Sequence, residues 1–209
     1  MTVISLEKNN TFNRPASKSQ IERTVLALEA NGIHTLVAEN DEQARKIFLE
    51  LVPEDSMIYQ DASMTLDTLG ITDDIEETGR FNAIRPKLHA LNSQTQPDQI
   101  LLLGASPDYM VGSVHAVTED GCVLIGSHSG RELGPYVSGA KNVVWIVGAQ
   151  KLVKNMDEGL RRVKYALPLE NERLQKSHDA NTDLSKLLIF YKERPGRITM
   201  ILVNGKLGF

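Results

Sequence analysis

The sequence predicts an α/β domain whose mainly parallel sheet carries an antiparallel hairpin. Three observations predict it. Helix-like and strand-like periodicities alternate from Ser17 to Tyr59, the mark of a parallel sheet with crossover helices. Glu119-Asp120-Gly121 separates two apolar runs and reads as a hairpin turn. The composition, 41% hydrophobic and 24% charged over 209 residues, excludes a disordered chain and a membrane-embedded one.

Taken in order, Met1 to Arg14 is polar, and Lys8 to Pro15 reads as a loose arm. Residues 1–15 are thus expected to form an arm, and 16–209 a single domain. Ile21, Val25 and Leu28 fall at helical spacing from Ser17 to Asn31, with Gly32 as the stop. Ile33 to Ala38 reads as a buried strand. Asn40 can cap a second helix, with Ala44, Ile47, Phe48 and Leu51 as its apolar stripe and Pro53 at its end. Met57 to Tyr59 and Ile100 to Leu103 read as further strands. Val111 to Thr118 and Cys122 to Ile125 are the hairpin arms, with Gly121 supplying a positive φ. Asn142 to Val147 is another buried strand, and Asp157 to Tyr165 an amphipathic helix that Pro168 interrupts. Lys186 to Tyr191 and Arg197 to Val203 are strand-like runs around the Pro195-Gly196 turn. Of these, Ile33 to Ala38, Met57 to Tyr59, Ile100 to Leu103 and Asn142 to Val147 are expected as neighbouring strands.

Charge and cysteine content narrow the function. With 23 basic and 27 acidic residues the net charge is −4, which argues against a broad nucleic-acid-binding surface. No apolar run reaches the length of a membrane span or of a secretory h-region, so a cytoplasmic location is expected. The single cysteine, Cys122, excludes an internal disulfide and a cysteine-rich metal site within this chain, and reads as an inert core thiol. His115, His128 and Glu119 match no zinc-ligand spacing, so neither a metal nor a cofactor is expected.

Ligands of parallel α/β sheets collect beyond the carboxyl ends of the strands, where helix starts favour anions. Ser63 and Thr65 follow the second strand; Ser63 either caps the helix opening there or contributes its hydroxyl to a ligand. Gly126-Ser127-His128-Ser129-Gly130-Arg131 offers backbone approach, the hydroxyls of Ser127 and Ser129, and in Arg131 a two-pronged oxyanion grip. It is not a P-loop, since no Gly-Lys-Ser or Gly-Lys-Thr follows. Gln150 and Lys151 follow the strand containing Trp145; Lys151 points either into the crevice or, as lysines usually do, to solvent. His115, beside Gly112 and Ser113, and Glu119, four residues on, are the candidate acid–base residues; a structural histidine is the rival reading.

Several segments, in this order, resemble the lactate-utilisation domain (LUD) family. They are Ser63-Met64-Thr65-Leu66 with Gly70, then Gly112 to Gly121, Val143 to Lys151 and Leu167-Pro168-Leu169-Glu170. The closing Pro195 to Thr199 and Leu207-Gly208-Phe209 complete the set. The resemblance runs from about Gln20 onward. It implies a fold like that of the ribose-phosphate isomerase, glucosamine-phosphate deaminase and CoA-transferase superfamily, whose members bind phosphorylated sugars or CoA thioesters at strand ends. It also implies a role in lactate or organic-acid metabolism. Some such proteins act with iron–sulfur partners, so a separate redox protein is a partner to consider, as is a further copy of the chain. Two departures stand out. Asp61 and Ala62 precede Ser63 where relatives often have glycine or small hydroxylated residues, which adds negative charge. Leu184 to Arg194 lacks the cysteine cluster that some relatives carry.

The expectation is therefore a small anionic metabolite, carboxylate, phosphorylated or CoA-linked. It would be held where Ser63, Thr65, Ser129, Arg131 and Lys151 converge, with His115 at the rim. A non-catalytic binding or assembly subunit is the alternative.

Overall fold

Ser17 and Asn40 act as the helix caps their positions imply. Ser17 Oγ accepts from the Gln20 N–H at 3.3 Å, and Asn40 Oδ1 from that of Gln43 at 2.9 Å. In the computed structural model, which describes residues 10–60, 62–92, 94–175 and 184–209, these caps open α1 (Lys18–Ala30) and α2 (Asp41–Leu51). The strands β1 (Ile33–Ala38) and β2 (Met57–Gln60) follow them. Next come α3 (Met64–Thr68), α4 (Ile71–Glu76), β3 (Asn82–Ala83), α5 (Arg85–His89), α6 (Pro97–Ala105) and β4 (Tyr109–Gly112). The second half runs β5 (Ala116–Thr118), β6 (Val123–Ser127), β7 (Asn142–Gly148), β8 (Leu152–Val153), α7 (Met156–Gln175), β9 (Lys186–Phe190) and β10 (Ile198–Val203).

The main sheet has six strands in the order β1-β10-β7-β4-β2-β3, and every pairing in it is parallel. A second, mixed sheet runs β8-β5-β6-β9. The α/β class with a mainly parallel sheet thus holds. The hairpin, β5 with β6, turns through Gly121 at φ +82° and builds the second sheet. Its first arm is shorter than expected, because Val111 belongs to β4 in the main sheet.

Alternation along β7 shows how the layers stack. Val143, Trp145 and Val147 face a core shared with Val117, Val123 and Phe190 of the second sheet and with Ile21 and Leu28 of α1. Val144 and Ile146 face the other way, onto Phe48 of α2, Leu66 of α3 and Ile71 of α4. The far side of the second sheet, Ala116 and Leu124, packs on Val163 and Leu167 of α7. The helices α2, α3 and α4, the main sheet, the second sheet and α7 therefore lie in successive layers, with α1 on the second-sheet side of the main sheet. Pro195-Gly196 hands the chain from the second sheet to the centre of the main one.

Four expectations need correction. Ile100 to Leu103 is not a strand but part of α6, with Leu101 71% and Leu102 76% exposed; β4 occupies the expected place in the sheet. Pro97 at the first helical turn and Asp98 beside it are helix-start signals that outweigh a four-residue apolar run. The remaining expected strands are separated by others, β10 lying between β1 and β7, and β4 between β7 and β2. Pro168 does not end α7, which continues to Gln175. The carbonyl it leaves without an N–H belongs to Lys164, an exposed residue of the helix. Finally, the described end of the arm is anchored. Asn10–Asn13 forms a 3₁₀ turn, Phe12 packs on Tyr165 with ring centroids 5.4 Å apart, and Asn13 Nδ2 donates to the Tyr165 hydroxyl at 2.9 Å.

Candidate functional site

Three neighbouring parallel strands, β7, β4 and β2, each release a polar residue at or just beyond their carboxyl ends. Lys151 closes the 3₁₀ turn Ala149–Lys151 after β7, Ser113 follows β4, and Thr65 lies in α3 after β2. The three side chains meet. Lys151 Nζ donates to Ser113 Oγ at 3.0 Å and to Thr65 Oγ1 at 3.2 Å. Ser113 Oγ in turn donates to the Ile146 carbonyl at 2.7 Å, so its oxygen is fixed as an acceptor for the lysine.

Lys151 is only 4% exposed. Among the described residues no carboxylate lies within ion-pair distance of its nitrogen. Burial, reinforced by the nearby charge of Arg162, pushes its pKa down from 10.5 to about 7, and Glu170 pulls the other way. Burial thus favours the neutral amine at this position.

The second sheet and α7 supply the other side of the cluster. The Gly126 N–H donates to His115 Nδ1 at 3.1 Å, so in the neutral ring the proton sits on Nε2. Nε2 is 3.7 Å from Glu170 Oε2, and both side chains keep partial exposure, 16% and 21%. Arg162 is fully buried; its Nε donates to the Gln150 carbonyl at 3.2 Å and its Nη1 to that of His115. Its Nη2 has no acceptor among the described residues, and burial pushes its pKa down to about 10. Arg162 and Glu170 were not singled out from the sequence. The available signal was their place in the apolar stripe of α7, at helical spacing from Val163, Ala166 and Leu167.

The other expected site residues have different surroundings. Gln150 spends its amide on the chain's last residues: Nε2 donates to the Leu207 carbonyl at 2.8 Å and Oε1 accepts the Leu207 N–H at 3.1 Å. That clamp lays Gly208 against Thr65, where a Cβ would come within 2.4 Å of Oγ1. Gly112 makes room for a side chain, since a Cβ there would meet the Tyr136 hydroxyl at 1.9 Å. Ser63 is the residue before α3 but makes no capping hydrogen bond, and it is half-buried. Ser127 is buried and accepts from the Gly130 N–H at 2.8 Å, shaping its own turn. Ser129 and Arg131 are exposed, the serine hydroxyl accepting from the Arg131 N–H at 3.3 Å, and neither is bonded to Lys151. Glu119 sits across β5 from His115, paired with Arg23 at 2.9 Å. Asp61 lies outside the described residues. Cys122 is buried, and desolvation pushes its thiol pKa up, as an inert core thiol requires.

Among the described residues no group of three or more His, Cys, Asp or Glu side chains could hold a metal ion. No helix among them is long and apolar enough to cross a membrane.

No curated protein matches this sequence. Among solved structures, a DUF162 family protein from Deinococcus radiodurans superposes with a TM-score of 0.56 at 12% identity. The match covers 90% of this chain and 99% of that one. At that identity the likeness carries the fold alone. The sequence itself matches the LUD domain over residues 21–208. That span holds both sheets, α7 and every side chain gathered around Lys151, and the chain belongs to the LUD family.

Proposed function

We propose that this protein serves lactate or related organic-acid metabolism by binding a small organic anion at Lys151. Thr65, Ser113 and Arg162 complete the anion's surroundings, and His115 with Glu170 forms the acid–base side. One observation carries the reading: a buried lysine at the strand ends is bonded to neutral hydroxyls and faces no carboxylate within ion-pair distance among the described residues. An anion entering there restores the lysine's charge and gains a charge-assisted hydrogen bond worth about 1.5–3 kcal/mol. Ser63 stands close in sequence at the same strand end, whereas Ser129 and Arg131, on exposed turns of the second sheet, are left out of this first contact set.

Calorimetry with pyruvate, L-lactate and inorganic phosphate, in two buffers of different ionisation enthalpy, tests the reading. Binding of a carboxylate should take up protons at pH 7.5, because it raises the Lys151 pKa from about 7. Lys151→Met should weaken it roughly tenfold to a hundredfold. Equal affinity for the variant, or binding with no proton uptake, would contradict the assignment.

A second reading, a non-catalytic subunit beside a separate redox protein, has its own support. Oxidising a hydroxy acid needs an electron acceptor, and one cysteine cannot ligate a four-thiolate cluster. It predicts binding of lactate without turnover by the purified chain, whereas a self-sufficient enzyme turns its ligand over alone.

A further inference from the structure

We propose that Lys151 is a nucleophile toward carbonyl compounds, condensing through Nζ with a bound 2-oxo acid to form an imine. The proposal rests on the anion-binding reading above and adds to it the carbonyl and the covalent step.

The geometry of the cluster carries it. A neutral primary amine has two N–H bonds and one lone pair. Here two acceptors, Ser113 Oγ and Thr65 Oγ1, stand at 3.0 and 3.2 Å and take both N–H bonds. The lone pair is then left in the remaining tetrahedral direction, and among the described residues no carboxylate stands within ion-pair distance to hold a third proton on the nitrogen. Ser113 Oγ is itself committed as a donor to the Ile146 carbonyl, so it does not donate to that lone pair. The amine is thus held by its hydrogens with its reactive electrons free. Burial and the neighbouring Arg162 charge keep a large share of it unprotonated at neutral pH, the usual way a lysine is activated.

The step balances with the groups at hand. The Nζ lone pair attacks the carbonyl carbon, and one amine proton passes to the former carbonyl oxygen, giving a carbinolamine. That hydroxyl then takes a second proton and leaves as water, and the nitrogen lone pair forms the C=N bond of an iminium ion. That second proton comes from solvent, which reaches the cluster at the partly exposed pair of His115 and Glu170. The iminium keeps the positive charge at Nζ. The carboxylate that favours the ammonium form therefore favours the adduct as well. Arg162, whose Nη2 has no acceptor among the described residues, adds a second positive charge to the same region. An acid with its carbonyl next to its carboxylate meets both demands within one small cluster.

The test incubates the full chain with pyruvate, and separately with glyoxylate, in the presence of cyanoborohydride at pH 7. Intact mass and peptide mapping follow. The expected product is one reduced adduct per chain, on Lys151, formed on the order of a thousandfold faster than on an average exposed lysine. That ratio follows from the far larger neutral fraction of Lys151. L-Lactate, which has the carboxylate but no carbonyl, should slow the trapping and leave no adduct. Lys151→Arg, which keeps the charge, should remove the labelled peptide. If calorimetry shows Lys151-dependent binding of both oxo acids and no adduct forms, the imine is overturned while anion binding stands. Labelling spread evenly over surface lysines also overturns it. If neither oxo acid binds, both readings fall together.

Discussion

An ammonium group withdrawn from water among neutral hydroxyls gives up hydration that two hydrogen bonds replace only in part. Lys151 illustrates the consequence. From about pH 7 to about 10.5 the unfolded chain holds a proton that the folded chain does not, so stability rises with pH across that window. Below pH 7 both states are protonated and the full penalty is present. Each tenfold change in proton affinity is about 1.4 kcal/mol, which makes the penalty a sizeable fraction of a domain's stability. Lys151→Met should therefore raise the urea midpoint at pH 7 and lose that advantage as the pH approaches 10; denaturation series at several pH values would show it. A variant less stable than the parent at pH 7 would mean that the lysine is a structural strut. From sequence alone Lys151 was ambiguous because lysines are usually exposed. Burial at this position is decided by the 3₁₀ turn after β7, which carries the side chain across the ends of β4 and β2. His115 was legible as a polar residue beside Gly112-Ser113. Its Glu170 partner was not, since it arrives from α7, 55 positions further along.

Among the elements, those with a local signature were readable. The caps Ser17 and Asn40 set α1 and α2, and the Glu119-Asp120-Gly121 turn set the hairpin. Those decided by tertiary packing were not. The Ile100 to Leu103 run has a strand's composition, yet the sheet is completed by Tyr109–Gly112, and α6 leaves its leucines outward. The Gly126 to Arg131 loop has an anion-binding composition, yet Ser127 and Ser129 are used in shaping its own turn. The end of β4 is positioned by a longer chain of contacts. Buried Arg197 donates to the carbonyls of Pro135 and Tyr136 at 3.0 and 2.8 Å, fixing the π-type turn Pro135–Gly139. Tyr136 then lies on Gly112, next to Ser113. Gly112→Ala should cost about 1–3 kcal/mol by overpacking against the Tyr136 hydroxyl. Tyr136→Phe in the same chain should recover part of that loss, as a double-mutant cycle in urea would measure. Additive effects would show that the contact is not the cause.

At the scale of the whole molecule, two sheets and α7 place groups from remote parts of the chain around one amine. Thr65, Ser113 and Lys151 come from the main sheet; His115, Glu170 and Arg162 come from the second sheet and the helix covering it. The Gln150 clamp on Leu207 brings the chain's last residues against Thr65. The central claim is that this arrangement holds a lysine poised near neutrality for an anion to charge. The most direct measurement is the titration of Lys151 itself, followed through its ε-carbon and ζ-nitrogen resonances in lysine-labelled protein, with Lys151→Arg as the assignment control. One lysine should titrate with a midpoint near 7 and move upward when pyruvate is added. A Lys151 midpoint at the ordinary value near 10.5, unmoved by pyruvate, would contradict that claim.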